Sequence, residues 1–419
     1  MINYLLSFIF QGTTYFTFGI LFNTFIIKKK KPYLYDLLAV GMSITYIIVL
    51  FISISGNKIN RFLIYIFIVI IFLLTFFKIK NKKRLKEILK KIFWLDFLFF
   101  LLFYIIISIF LFLIPTYGYD GILNFAAKAK HIYDYGFFSL FDKDAFLCHI
   151  KYPIFLPIQE YFSGLLYGKY SNEIISISFS YYMLLIFLFV YERFIDYKII
   201  KILILLLFVL TPIHWIQDKT FIAKYADFPL AVFFMLSIFS EKDDKNDEKT
   251  FCNVGLVYGV TMMTIKNEGF LLFLIYLFIS GYKFKNIKQE ITKNKIFGII
   301  IMLLIFTSFM MKFSISSEET DMQNLWLNRS RVSLFPQYLK LFLGYFFNIK
   351  IWSLNLFASF IIIILDKNNK RLKISFLIYI LISIILFSLI DVKNSFDRII
   401  YHFYPLLLIT TIKKVLRMT

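Results

Sequence analysis

Residues 92–121 read IFWLDFLFFLLFYIIISIFLFLI-PTYGYDG: a 23-residue apolar run carrying one charge, Asp96, then a Pro/Gly turn that ends on Asp120. About 20 such residues in a helix cross the ~30 Å hydrocarbon core of a bilayer. The run is preceded by KIKNKKRLKEILKK (78–91), in which eight residues are basic. A long apolar helix with a basic flank on one side and a nearly uncharged turn on the other is the pattern of a membrane span.

The pattern repeats outward in both directions. Apolar stretches fall near 3–26, 36–54, 62–77, 174–191, 199–213, 227–240, 252–265, 270–282, 296–312, 352–365, 374–390 and 399–412. With 92–114 they predict an all-α polytopic membrane protein, a bundle of about 13 transmembrane helices. The first stretch is too long for a signal-peptide core and is read as a true span. Residues 337–350, apolar and aromatic between Lys340 and Lys350, are read as an interfacial helix, the alternative being one more span.

Composition agrees. Of 419 residues 60% are apolar, with 55 Phe and 28 Tyr, against about 45–50% apolar in an average soluble domain. The mean hydropathy is +0.75. A water-soluble globular enzyme, a disordered chain and a disulfide scaffold are excluded. The net charge of +21 is assigned to membrane sidedness, and no nucleic-acid partner is expected. Thirty of the 47 basic residues lie in alternate breaks: 28–31, 78–91, 192–201, 241–249, 283–295, 367–373 and the tail. Those breaks are therefore read as cytoplasmic. The N-terminus and the segments 115–172, 214–226, 266–269, 313–336 and 391–398 then face outward. Cys148 and Cys252 fall on opposite faces and cannot pair.

The unusual polar residues gather on the predicted outer face. The long loop carries Asp120, Lys128, Lys130, His131, His149, Lys151 and Tyr152. Asp227 opens a span ahead of Pro229, Lys266-Asn267-Glu268-Gly269 breaks two apolar segments, and Asp397-Arg398 with His402 opens the last span. Each has a bland reading: Asp120 and Asp227 as helix N-caps, Lys266 and Glu268 as a self-satisfied pair, Arg398 snorkelling to headgroups. Yet charges at membrane depth are costly and mark functional sites by default. Arg398 and His402 share one helix face, and a cation at a helix start opposes the helix dipole, which points to an anion nearby. Carboxylates can take a proton from a nucleophile and Lys or Arg can hold a phosphate. Together they suit group transfer from a phosphate-bearing donor at the membrane surface.

The order of these strings resembles the GT-C superfamily of integral-membrane glycosyltransferases, in its bacterial branch related to protein O-mannosyltransferases and the lipid A aminoarabinose transferase. The strings are Asp120 with Lys128-Ala129-Lys130, His149 to Pro157, Ala226 to Ala231, Lys266 to Gly269, and Asp397 to Pro405. The resemblance covers 92–412, leaving 1–91 as additional N-terminal transmembrane helices and 413–419 as a cytoplasmic tail. It implies an outer-face cavity, a polyprenyl-phosphate sugar donor and Asp120 as the catalytic carboxylate. Lys128, Lys151, Lys266 and Arg398 are the implied holders of the lipid phosphate, with Lys130, His149, Tyr152, Asp227, Glu268 and His402 lining the same site. The acceptor, whether glycan, lipid or protein, is not specified. Metal use is left open: a divalent cation, Mg or Mn, could be shared by Asp120 and a second carboxylate.

The expected reaction is attack by an acceptor hydroxyl on the sugar's anomeric carbon, with Asp120 as general base and cations stabilising the departing phosphate. The expected location is a bacterial plasma membrane, the site facing outward. Two alternatives stand. An O-antigen polymerase- or ligase-like protein would draw on Arg329 and Arg331. A lipid-linked-saccharide transporter would rely on charges within spans, such as Asp96.

Overall fold

The structure is a computed structural model and describes residues 2–27, 32–55, 61–78, 98, 101–102, 104–106, 108–109, 125–141, 152–194, 197–211, 214, 224–244, 253–281, 284–310, 333–352, 354–366, 369–390 and 396–416. Among them the chain is almost wholly helical, with no strand. In chain order the helices are α1 (Ile2–Phe22, continued by a π turn, Asn23–Ile27), α2 (Leu34–Ile54), α3 (Arg61–Lys78), α4 (Ala127–Tyr135, followed by a 3-10 turn, Phe137–Phe141), α5 (Phe155–Tyr167), α6 (Asn172–Arg193), α7 (Lys198–Val209), α8 (Asp227–Asp244) and α9 (Val254–Ile265). Then come α10 (Gly269–Ser280), α11 (Phe284–Lys293), α12 (Lys295–Met310), α13 (Phe335–Phe346), α14 (Ile349–Trp352), α15 (Asn355–Leu365), α16 (Lys370–Ile390) and α17 (Phe396–Val415).

Among the described residues, three helices are long and apolar enough to cross a membrane: Asn3–Ile27, Leu34–Ile54 and Ile174–Arg193. Several expected spans are shorter. α9 and α10 have 12 residues each, a rise of about 18 Å, because Lys266 adopts an extended conformation (φ −154°, ψ 156°) and ends α9 abruptly. The 12-residue α13 is also too short to span. It buries one stripe, Tyr338, Phe342 and Phe346, at i, i+4 and i+8, and rests on α16 and α17. The described residues of 92–114 are all helical.

Two packing features position the site. α1 and α2 form the most extensive helix pair because Gly41 lets their backbones touch: a Cβ there would lie 1.7 Å from the Tyr15 carbonyl oxygen. α17 is the hub of the C-terminal half, against α8, α13, α15 and α16. Rings lock it in place, Phe234–Phe403 at 4.8 Å and Trp352–Tyr404 at 5.5 Å between centroids.

Polar bonds join the helix ends that the charge pattern assigns to one face. Glu192, at the end of α6, accepts from the Leu34 and Tyr35 amides at 2.5 and 3.3 Å, satisfying the open N-terminus of α2. Asp36 accepts from Tyr258 at 2.8 Å and Ser240 at 3.2 Å, tying α2 to the start of α9 and the end of α8. Lys414 and Asp366 pair at 3.0 Å at the ends of α17 and α15. The opposite ends of α8, α9 and α17 hold the cluster described next.

Candidate functional site

α9 and α10 form a tight hairpin whose tip is Lys266-Asn267-Glu268. The Gly269 amide donates to the Lys266 carbonyl at 2.9 Å and the Phe270 amide to Asn267 at 3.2 Å. Gly269 is required there by close approach, since a Cβ would lie 1.9 Å from the Met262 carbonyl oxygen. This turn puts the Lys266 ammonium 3.1 Å from Glu268 Oε1 and 2.9 Å from Asp227 Oδ1. Asp227, the first residue of α8, is fully buried. An isolated carboxylate cannot remain charged in such a place, and three groups attend it.

Besides Lys266, Arg398 Nε reaches Asp227 Oδ2 at 2.8 Å and His402 Nε2 reaches Oδ1 at 2.8 Å. The other imidazole nitrogen, Nδ1, lies 2.5 Å from the Tyr379 hydroxyl on α16. Arg398 also stacks over the Tyr225 ring at 4.4 Å. Five residues singled out in the sequence, Asp227, Lys266, Glu268, Arg398 and His402, thus meet in one ion cluster built from α8, the α9–α10 tip and the first turns of α17. The Arg398 guanidinium at the start of α17 sits against the helix dipole because the protein supplies its counter-anion, Asp227. Lys266 pairs with Glu268, as the bland reading has it, and also with Asp227.

Burial grades the cluster. The side chains of Lys266 and His402 are 5% and 1% exposed, whereas Arg398 is 16% and Glu268 30% exposed. Arg398 and Glu268 are therefore the more exposed members, although Glu268 Oε2 is itself buried without a hydrogen-bond partner among the described residues. The donor set is wrong for a metal on Asp227, because a cation there would displace ammonium, guanidinium and imidazole partners. Among the described residues no group of three or more His, Cys, Asp or Glu side chains could hold a metal ion.

The other residues divide. Lys128 is buried in α4 and its ammonium donates to the Tyr152 carbonyl at 3.3 Å. Tyr152 in turn lies within electrostatic reach of Lys266, which connects the long loop to the cluster. Lys130, two residues on, is exposed, and His131 bonds the Ser139 carbonyl at 3.2 Å. Asp120, His149 and Lys151 lie outside the described residues, as do Asp96, Arg329, Arg331, Cys148 and Cys252.

A second buried group escaped the sequence reading. Glu160 on α5 is 1% exposed, and Tyr170 Oη lies 3.3 Å from its Oε2 and 3.0 Å from the Ala126 carbonyl oxygen. Burial pushes the Glu160 carboxyl up to about 8, with the Tyr170 hydrogen bond and the nearby Lys224 charge working the other way. Lys224 is itself buried, donates to Ser176 Oγ at 2.6 Å and holds a left-handed backbone (φ 54°), a conformation that costs a non-glycine residue energy. The available signal was a single acid inside the apolar string FLPIQEYFSGLLY. Lys224, in the same short segment as Asp227, joins this group to the ion cluster along the chain.

No family model matches the chain, and no curated protein and no solved structure matches it either.

Proposed function

We propose that the chain is a polytopic membrane glycosyltransferase resembling the GT-C superfamily, moving a sugar from a polyprenyl-phosphate donor to an acceptor hydroxyl at the outer face of a bacterial plasma membrane. The observation that carries this reading is the ion cluster around Asp227 at the tip of a short hairpin. Arms of about 18 Å do not cross a ~30 Å hydrocarbon core. A hairpin entering from one face therefore holds its charged tip below the opposite surface, where charge needs a polar cavity. In this reading the thirteen helices line that cavity.

Within it each residue has a task. Asp227 fixes Lys266 and Arg398 against each other, so that no reorganisation is needed when charge develops on a phosphate. Arg398, the more exposed cation, offers the planar fork that suits two phosphate oxygens. Lys128, held by the Tyr152 carbonyl, extends the cationic wall toward the long loop. Asp120 is the proposed general base: it takes the acceptor hydroxyl's proton as the oxygen bonds to the anomeric carbon. The bond from that carbon to the phosphate oxygen breaks, and lipid phosphate leaves with its electron pair. Displacement from the opposite side inverts the anomeric centre.

The test uses purified protein in lipid with a panel of undecaprenyl-phosphate sugars, following released undecaprenyl phosphate for wild type and Asp120→Asn. Turnover of one donor, lost in the variant, supports both class and base. Turnover that survives Asp120→Asn removes Asp120 from the mechanism. No turnover or binding of any donor overturns the reading.

A further inference from the structure

Glu268 is the member of the ion cluster whose carboxylate is only half used. Its Oε1 takes the Lys266 ammonium at 3.1 Å, while its Oε2 is buried and accepts no hydrogen bond among the described residues. The neighbouring residue repeats this: Asn267 Oδ1 is buried and has no donor there either. Buried acceptors are almost always paired, and an orphaned one has lost its hydration without return. Two of them in consecutive residues, at the tip of one hairpin, mark a place where donors arrive from outside the chain.

The backbone cannot relax to satisfy them. The Gly269 and Phe270 amides close the turn onto the Lys266 and Asn267 carbonyls at 2.9 and 3.2 Å, and Gly269 is pressed against the Met262 carbonyl. The Glu268 side chain is nevertheless 30% exposed, so it borders open space. The last torsion of a glutamate is broad, and either oxygen can be turned to a ligand there.

The surroundings choose the donor. A metal ion or an ammonium group at Oε2 would share one carboxylate with the Lys266 ammonium, a like charge close by. Asp227 and Glu268 are already matched by Lys266 and Arg398, so a further cation is not called for. A neutral hydroxyl fits, and a group carrying several hydroxyls can serve Glu268 and Asn267 together. Lys266 also ties Glu268 to Asp227 and, through Asp227, to Arg398. The hydroxyls therefore belong to a group attached close to the phosphate that these cations suit. In a lipid-phosphate donor that group is the sugar.

We propose, resting on the sugar-transfer reading above, that Glu268 and Asn267 hold hydroxyl groups of a neutral sugar beside the lipid phosphate and so select the donor. A site built to bond a hydroxyl rejects a ligand that lacks it, because its own buried acceptors are then left unpaired. Neither residue takes a proton in this scheme. Glu268 shares Lys266 with the phosphate side, whereas the base faces the side of the anomeric carbon from which the acceptor enters.

The test is calorimetric titration of the purified full chain in detergent with farnesyl phosphate and with its glucose, mannose, galactose and glucosamine esters. The readout is the ratio of dissociation constants between farnesyl phosphate and each ester. Lipid and phosphate are common to both probes, so a general loss of structure does not move that ratio. At least one hexose ester should bind about thirtyfold more tightly than farnesyl phosphate. Glu268→Ala should lower that ratio about tenfold and Asn267→Ala about threefold. Lys266 keeps Asp227 at 2.9 Å in both variants, so the cluster stays paired. Glu268→Gln, with the size kept and the charge removed, should fall between wild type and Glu268→Ala. Arg398→Gln should weaken both probes and leave the ratio unchanged. Farnesyl phosphate binding with a ratio near one for every hexose, a ratio that survives both alanine variants, or a glucosamine ester that binds more tightly than every hexose overturns the inference alone. Binding of no probe to wild type overturns the sugar-transfer reading together with it.

Discussion

Replacing Asp227 by Asn tests whether the ion cluster holds the C-terminal half together. The carboxylate makes contacts of 2.9, 2.8 and 2.8 Å to Lys266, Arg398 and His402, and its side chain is wholly buried. Asn keeps the shape but removes the charge, and its amide nitrogen turns a donor toward Arg398 or, in the flipped orientation, toward Lys266 and His402. Two cations are then left in a poorly hydrated place, and breaking a buried pair in this way costs about 3–5 kcal/mol. At about 2.1 cal/mol/K of unfolding entropy per residue, a chain of 419 residues should lose about 3–6 °C in melting temperature. The assay is thermal unfolding of the purified protein in detergent. Arg398→Gln alone should cost less, because Lys266 and His402 still attend the carboxylate. Combined with Asp227→Asn it should cost less than the sum of the two, since both remove one interaction. A melting temperature within 1 °C of wild type for Asp227→Asn would refute the buried-anchor argument.

Two further outcomes follow from the same geometry. Gly269→Ala puts a methyl group 1.9 Å from the Met262 carbonyl oxygen, a backbone atom that cannot rotate away. The hairpin tip must shift, with a loss of about 1–3 kcal/mol, read as a lower melting temperature. Glu160, raised by burial to about 8, is a carboxyl that the folded chain keeps protonated while the unfolded chain ionises it above its ordinary value of 4.5. Its contribution therefore falls as pH rises from about 4.5 to 8 and then levels off, a loss on the order of 3 kcal/mol by pH 7. Glu160→Gln cannot ionise, so its melting temperature should gain on wild type as pH rises from 5 to 8. A constant difference across that range counts against the buried neutral acid.

Much of the architecture was legible in the chain. The expected spans 36–54, 174–191 and 374–390 lie within α2, α6 and α16, because runs of apolar residues bounded by Lys-rich breaks leave a helix few other ways to satisfy its backbone. The site was partly legible too. Asp227, Lys266, Glu268, Arg398 and His402 stood out because ionisable residues at the ends of apolar stretches are rare. Counting charges is enough to expect them at one set of helix ends. What they would do to one another was not readable. Arg398 at a helix start points to an anion nearby, and the structure gives Asp227 as its partner.

The sequence by itself determined the helical class, the alternation of helix ends and the set of residues with chemistry to offer, since hydropathy and charge are local properties. Only the tertiary structure decided that residues 266, 398 and 402 meet around the Asp227 carboxylate and that Glu160 is buried beside Tyr170. Those are facts of packing between segments as far as 175 positions apart. Distance in space between such segments is fixed by which helix faces are complementary, and no local pattern encodes it.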